Sequence, residues 1–402
     1  MTVVATIFLD GRVTMHVGDV REQLATMESE SVDCVVTSPP YWGLRDYGVD
    51  GQIGLEHTLG EHLAVLVGVF AAVKRVLKPS GTCWVNYGDC YATSVNGRSA
   101  ADTKAVGNDD RTFRDKPFST IGGKFKAKDR MLIPARLAIA LHDDGWYVRD
   151  EIVWHKPNPM PSSVSDRTTP AHEMIYLLSK SPRYFYDANA IREPMADSSV
   201  ARLTQPAIDE QRGGAKQDAY ETAGINERSG SRRPNEIVQG LARRGKNEQS
   251  PDRTQAGFND RWDAKEARAR LNNQSEKLVA GEKWGARHEG WQAVKDSLGG
   301  RNKRSVWTIA TDPFPDAHFA TFPPGLIEPC IKAGCPKGGL VLDPFGGAGT
   351  TALVALRHGR RAALIELNPA YAEMAQARIE AEWRVQPKPH AIDLGPLFGA
   401  RE

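Results

Sequence analysis

Cysteine is scarce in this 402-residue chain: there are five, Cys34, Cys83, Cys90, Cys330 and Cys335. The number is odd and the spacing forms no framework, which argues against disulfides. No pair has the CxxC spacing of a zinc half-site, so no metal is expected. Long apolar runs are missing as well. None approaches the roughly 20 residues of a membrane span. The N-terminus has no basic stretch followed by an apolar one, so neither a membrane anchor nor a leader is expected. The chain reads as a soluble, cytoplasmic protein. A dominant charge sign is also lacking: 52 Lys and Arg stand against 50 Asp and Glu, a net charge of +2. That balance neither demands nor excludes a nucleic-acid partner, so the distribution of charge carries the information.

What is present is a core. Hydrophobic residues make up 40% of the chain, enough for a large domain or two to three smaller ones. Residues 13–20 read as a strand ending in Gly18-Asp19, with a helical stretch after it. SVDCVVT, 31–37, is a near-continuous apolar run, as expected for a parallel strand buried on both faces. Leu59, Leu63, Leu66, Val69, Phe70, Val73 and Leu77 recur at helical spacing, and Pro79 and Gly81 are expected to close that helix before a strand at 82–87. A helix over about 129–143 and a strand through YVRDEIVWHKP follow. HEMIYLLSKSPRYFYD reads as two strands joined by a turn at Ser181-Pro182. The C-terminal part alternates strictly: SVWTI strand, PPGLIEPCIKAGC helix, GGLVLD strand, GTTALVALRHG helix, RAALIEL strand, NPAYAEMAQARIEAEW helix. Such β-α-β-α order predicts an α/β fold with a doubly wound, mostly parallel sheet.

Two segments break this pattern. Residues 90–128 are rich in Gly, Ser, Asp and Lys and read as a long loop of the kind compact domains keep for function. Residues 187–304 are polar and without long apolar periodicity. They carry 22 Lys and Arg against 18 Asp and Glu, so the positive excess of the chain lies here, densest in RSGSRRP and GLARRGK. One reading is a loosely folded linker. The other is a DNA-facing module in which cations neutralise phosphates. The expected division is 1–187, with a mobile loop at about 90–128; an insert at 188–304; 305–386; and a C-terminal tail at 387–402.

Two motifs carry chemistry. In LVLDPFGGAGTTALVAL a buried strand ends in Asp343 and a glycine-rich turn leads into a helix at Thr350. Glycines let backbone approach a ligand, and a helix N-terminus offers free N–H donors. The motif is neither GxGxxG nor a P-loop. The next strand ends in Glu366, placed to accept hydrogen bonds from ribose hydroxyls. A nucleoside without phosphates fits both ends of this unit. In VVTSPPYWGL an apolar strand runs into two prolines and two aromatics. Prolines end a β-ladder. They do not account for the polar oxygen just before them or the large ring just after.

Together these residues resemble the β class of amino-group DNA methyltransferases. TSPPYW resembles the family's catalytic tetrapeptide, (D/N/S)PP(Y/F), and DPFGGAGTT its S-adenosylmethionine motif. The order (catalytic motif, basic insert, cofactor motif) is the circular order of that class. The resemblance covers about 13–187 and 305–383, and implies the S-adenosylmethionine-dependent methyltransferase fold, circularly permuted, with an irregular target-recognition insert. It implies cofactor contacts at Asp19, Asp343, Phe345, Gly347, Gly349, Thr350, Glu366 and Asn368. It also implies one at Phe319, where the family's segment has proline. Trp42, Trp154, Lys156 and Asn158 are expected near the target base, and Arg232, Arg233, Arg243 and Arg244 on DNA. The implied partners are double-stranded DNA, a cognate restriction endonuclease and a second copy in a homodimer.

The chemistry explains the tetrapeptide. An exocyclic amine shares its lone pair with the base ring and is a poor nucleophile. Acceptors that pull on its N–H hydrogens favour a more tetrahedral nitrogen. Ser38 Oγ and the Pro39 carbonyl can serve, held rigid by Pro39 and Pro40, while Tyr41 can stack on a flipped base. No covalent enzyme–base bond is needed, so Pro329-Cys330, inside an apparent helix, reads as core rather than as the nucleophile of carbon-5 methylation. In the family, Ser at the first position usually accompanies cytosine N4 and Asp adenine N6. Cytosine N4 is therefore favoured, with adenine N6 the alternative. Methyltransferases of RNA or protein glutamine usually place the cofactor motif first. A non-catalytic DNA-binding relic would not be expected to keep both motifs intact.

Overall fold

The computed structural model describes residues 4–44, 49–94, 118–196, 300–311 and 322–385. Two compact units are formed, Met1–Ile191 with Arg304–Glu402, and Arg192–Lys303. In the second unit the described residues include an antiparallel bridge between Glu193 and Arg301, closed by hydrogen bonds of 2.9 and 2.8 Å.

The first unit is built on a nine-stranded sheet. Its strands are β1 Val4–Phe8, β2 Val13–Val17, β3 Val32–Thr37, β4 Leu77–Tyr87, β5 Tyr147–His155, β6 His172–Ser179, β7 Val306–Thr308, β8 Leu340–Asp343 and β9 Arg361–Glu366. Their order across the sheet is β1-β2-β9-β8-β3-β4-β6-β5-β7. The run β2-β9-β8-β3-β4 is parallel throughout, as is β5-β7. The pairs β1-β2, β4-β6 and β6-β5 are antiparallel. Side chains alternate along β3: Cys34 and Val36 join one core, Val35 the other. Helices α1 Val20–Thr26, α2 Leu59–Val76 and α3 Ile133–Asp143 cover the Val35 face. Helices α4 Pro324–Gly334, α5 Thr350–Arg357 and α6 Pro369–Val385 cover the other. Burial on both faces is why the central strands β3, β8 and β9 lack a polar side. Among the described residues no helix is long and apolar enough to cross a membrane.

Local chemistry sets the helix ends. Thr58 and Glu61 form a reciprocal capping box at the start of α2. Helix α3 starts at Ile133, four residues later than the sequence pattern implies, because Leu132 stands in the left-handed region at φ 56°. Pro79 and Gly81 do not separate α2 from the next strand. Leu77 ends α2 and opens β4, and the two residues fall in an irregularity where Val32 pairs with Leu77 and Cys34 already pairs with Thr82. The expected hairpin through Arg183–Asp187 is absent. Strand β6 has β4 on one edge and β5 on the other, so a returning strand would find no free backbone to pair with. Residues 183–187 instead run as irregular chain into a 3₁₀ turn, Ala188–Ile191. Strand β1 was not legible in the sequence pattern.

Candidate active site

Strands β8 and β3 lie side by side, yet their connections leave in opposite senses. From β8 the chain crosses through α5 on one face; from β3 it crosses through α2 on the other. This is a topological switch point, where the carboxyl ends of parallel strands open a crevice. A cavity sits there, lined by the ends of β2, β3, β8 and β9 and the segments that follow them. The link between β3 and β8 is direct: Thr37 Oγ1 donates to Asp343 Oδ1 at 2.7 Å, across 306 positions of sequence.

The cavity gathers Asp19, Ser38, Pro39, Pro40, Tyr41, Asp343, Phe345, Gly347, Thr350, Glu366 and Asn368. Asp343, 1% exposed, also accepts from Thr351 Oγ1 at 2.6 Å and from Phe345 N at 3.1 Å. Burial pushes its carboxyl up to about 7, against the pull of these donors. Glu366 uses both oxygens: Oε2 accepts from Gly347 N and Oε1 from Asn368 N, each at 2.9 Å. Burial raises its carboxyl and the backbone donors oppose that rise. Each oxygen keeps a lone pair for a ribose hydroxyl. Gly347, at φ 47°, brings its N–H to Glu366. Gly349, at φ 75°, does not line the cavity. It opens α5, and a Cβ there would lie 2.9 Å from Ile379 Cδ1. Asp19 caps α1, accepting from Arg21 N at 2.7 Å, and its carboxyl is held low mainly by the Arg21 side chain. An adenosyl group fits this lining: a glycine-lined turn, a helix N-terminus and the acidic side chains of Asp19, Asp343 and Glu366, with Phe345 and Tyr371 as apolar walls.

Tyr41 is tied on two sides. Its hydroxyl donates to Glu173 Oε2 at 3.1 Å, and its ring lies 4.7 Å from that of Tyr87. Burial and the Glu173 charge push the phenol well above its usual range. Glu173 also receives Asn86 Nδ2 at 3.3 Å and pairs with Lys156. Gly88 makes room for this ring; a Cβ there would meet Tyr41 Cε2 at 2.6 Å.

Other expected residues sit away from the cavity lining. Trp42 is buried, its Nε1 donating to the Glu56 carbonyl at 2.8 Å. Trp154 is buried and donates to the Ile309 carbonyl at 2.8 Å. Lys156 Nζ lies over the Trp154 ring, 4.3 Å from its centroid. Asn158 exchanges two hydrogen bonds with the Thr311 backbone, at 3.3 and 3.1 Å. Phe319, Arg232, Arg233, Arg243 and Arg244 lie outside the described residues. Sequence reasoning missed Gln52, Ile53, Phe322 and Tyr371 in the lining and Glu173 behind Tyr41. Tyr371 had a signal, three positions after Asn368 in the first turn of α6; the segment around Ile53 has no periodicity to read. Cys330 is buried in α4, with Sγ 3.7 Å from the Leu326 carbonyl.

The family model described as DNA methylase, covering N6 and N4 enzymes, matches residues 32–377. The chain belongs to this family of amino-group DNA methylases. The type II methyltransferase M.XycI of Xanthomonas campestris pv. cyanopsidis is 37% identical over 369 residues, covering 92% of this chain and 88% of that protein. M.SmaI of Serratia marcescens, also a type II methyltransferase, is 36% identical over 363 residues, covering 90% and 89%. Among solved structures, the PvuII cytosine-N4-specific DNA methyltransferase aligns with a TM-score of 0.50 at 16% identity, covering 94% of this chain and 88% of that one. That likeness speaks for the fold. The DNA methylase is therefore an enzyme acting on DNA, and its sheet is the α/β methyltransferase sheet.

Proposed function

We propose that this DNA methylase transfers a methyl group from S-adenosylmethionine to the N4 amine of cytosine in double-stranded DNA. The observation that carries the cytosine reading is Ser38 at the first position of the tetrapeptide, on the wall of the cavity that also holds Asp343 and Glu366. Bound there, the cofactor supplies an electrophilic methyl on its sulfonium sulfur. Glu366, Asp19 and the turn at Phe345–Gly347 would hold the nucleoside end; Asp343, at the end of β8, lines the same cavity.

On the amine side, Ser38 Oγ and the Pro39 carbonyl accept the two N–H hydrogens. That withdraws the nitrogen lone pair from the ring and aims it at the methyl carbon. Ser38 favours cytosine through the family's usual pairing of serine at this position with cytosine N4. The Tyr41 ring, fixed through Glu173 and Tyr87, offers a stacking wall for a base turned out of the duplex. Lys156 is held on the same carboxylate. Similarity to named type II enzymes supports a role in modifying a defined site beside a restriction endonuclease.

The test is product identity. The full chain is incubated with methyl-labelled cofactor and unmethylated genomic DNA, which is then digested and its nucleosides separated by mass. N4-methylcytosine is expected. N6-methyladenine would overturn the cytosine assignment while leaving the site intact.

A further inference from the structure

The segment Gly54–Glu56 runs beside the tetrapeptide. Gly43 N donates to the Gly54 carbonyl, and Trp42 Nε1 to the Glu56 carbonyl, both at 2.8 Å. Gly54 stands at φ 110°, and a Cβ there would lie 3.1 Å from the Tyr41 carbonyl oxygen. The Glu56 carboxylate accepts from Gly54 N at 3.0 Å, and its Oε2 meets His62 Nδ1 at 2.8 Å. His62, in the first turn of α2, is fully buried, and its Nε2 lies 2.8 Å from the Tyr87 hydroxyl. Tyr87, the last residue of β4 and also fully buried, donates to the Pro40 carbonyl at 3.1 Å. One chain of contacts thus runs Glu56, His62, Tyr87, Pro40.

The hydrogens in this chain can be counted. A tyrosine hydroxyl has one. If it goes to Pro40, the Tyr87 oxygen can only accept from His62, so Nε2 must carry a hydrogen. Nδ1 must carry one too, because an ionised carboxylate only accepts. Glu56 is held below the usual carboxylate range: burial raises it, but the hydrogen bonds from His62 and the backbone outweigh that. All three contacts are satisfied together only when His62 is an imidazolium. With one proton fewer, Nε2 becomes an acceptor and competes with the Pro40 carbonyl for a single hydrogen. The other titratable groups facing this chain are Arg21 toward Glu56, Asp89 and Cys90 toward Tyr87, and Tyr41 against the Tyr87 ring. Asp89 is engaged by Arg130 and the Ile133 N–H. The two imidazole nitrogens themselves meet Glu56 and Tyr87.

We propose that Glu56, His62 and Tyr87 form a proton-dependent positioning relay for methyl transfer. With His62 doubly protonated, Tyr87 clamps the Pro40 carbonyl and holds the Ser38–Pro39–Pro40 backbone in its amine-accepting geometry. Loss of one proton frees that carbonyl. His62 and Tyr87 are positioning residues, and the inference rests on the catalytic reading of Ser38–Tyr41. A network that only held the fold together would cost stability when cut, without a signature in the pH dependence of transfer.

The test is the single-turnover transfer rate of the full chain across pH at saturating cofactor and DNA, together with the steady-state cofactor KM, for wild type, Tyr87→Phe, His62→Gln and Ser38→Ala. Tyr87→Phe keeps the ring and removes the clamp. Its rate on the acid side should fall about tenfold, with the cofactor KM within about twofold of wild type. The one-proton decline of the wild-type rate on the alkaline side should be missing from both Tyr87→Phe and His62→Gln. A Tyr87→Phe enzyme with the wild-type rate and pH profile, or one changed in KM alone, overturns the relay. If Ser38→Ala also transfers at the wild-type rate, the catalytic reading has failed and the relay with it. If Ser38→Ala is inactive while Tyr87→Phe is unaffected, only the relay has failed. Nitrogen NMR of histidine-labelled wild type needs no variant. Two hydrogen-bearing nitrogens on His62 are expected in the pH range of full rate, and a single one overturns the relay.

Discussion

Asp343 is the residue where the cavity's electrostatics are most exposed to test. Its carboxyl is buried, hydrogen-bonded three times and pushed up to about 7. The unfolded value is near 3.8. Between those values the folded chain keeps a proton that the unfolded chain has lost. The group's contribution to stability therefore declines as pH rises from about 4 to about 7 and is level above that. A cation in the cavity has the opposite preference and favours the carboxylate. Affinity for the cationic cofactor should rise with pH through about 7, with proton release on binding, and Asp343→Asn should flatten that dependence. Calorimetry in buffers of different ionisation enthalpy reads the proton count directly. At this scale the sequence was informative where a motif names an atom: Ser38, Asp343 and Glu366 stand on one cavity. It was uninformative where only side-chain direction decides. Trp42 and Trp154 carry the right rings but spend their N–H groups on the Glu56 and Ile309 carbonyls inside the protein.

Elements succeed or fail in the reading according to what punctuates them. The β8–α5–β9–α6 unit was legible because apolar runs, glycines and caps all agree there. Pro79 and Gly81 misled, because the same residues that end a helix also serve a bulge. Here β4 takes over directly at Leu77 and absorbs both. The false hairpin after Ser179 failed for a reason no local pattern holds, the occupancy of both edges of β6. The start of α5 is where an element and the site depend on one residue. Gly349→Ala adds a Cβ 2.9 Å from Ile379 Cδ1 at a φ of 75°. It should cost about 2 kcal/mol in denaturant unfolding, and should weaken cofactor binding as the turn at Gly347 shifts. An alanine variant with wild-type stability and affinity would show that the turn is not held by packing against α6.

For the whole molecule, the order of motifs matters more than their distance in sequence. Residues 306 positions apart meet as Thr37 and Asp343, because β3 and β8 are neighbours in one sheet. Long-range pairing of this kind cannot be read from periodicity; the family resemblance implied the fold but named no strand pair. Arg232, Arg233, Arg243 and Arg244 of the insert fall outside the described residues, but Lys124, Lys126 and Lys128 do not. Lys128 pairs with exposed Asp166 at 2.7 Å, and Lys124 lies over the Phe125 ring. If this segment contacts the duplex, neutralising all three lysines should lower the salt-dependence slope of DNA binding by about 2 to 3. An unchanged slope would remove it from the interface. The central claim is that one cavity binds the cofactor through β8 and β9 and presents the amine acceptor through β3. Titration of S-adenosylmethionine into Ser38→Ala, with methyl transfer measured on the same preparation, tests it most directly. Wild-type affinity with transfer abolished is expected. Transfer that survives the substitution, or cofactor binding lost along with it, would contradict the division of labour within the cavity.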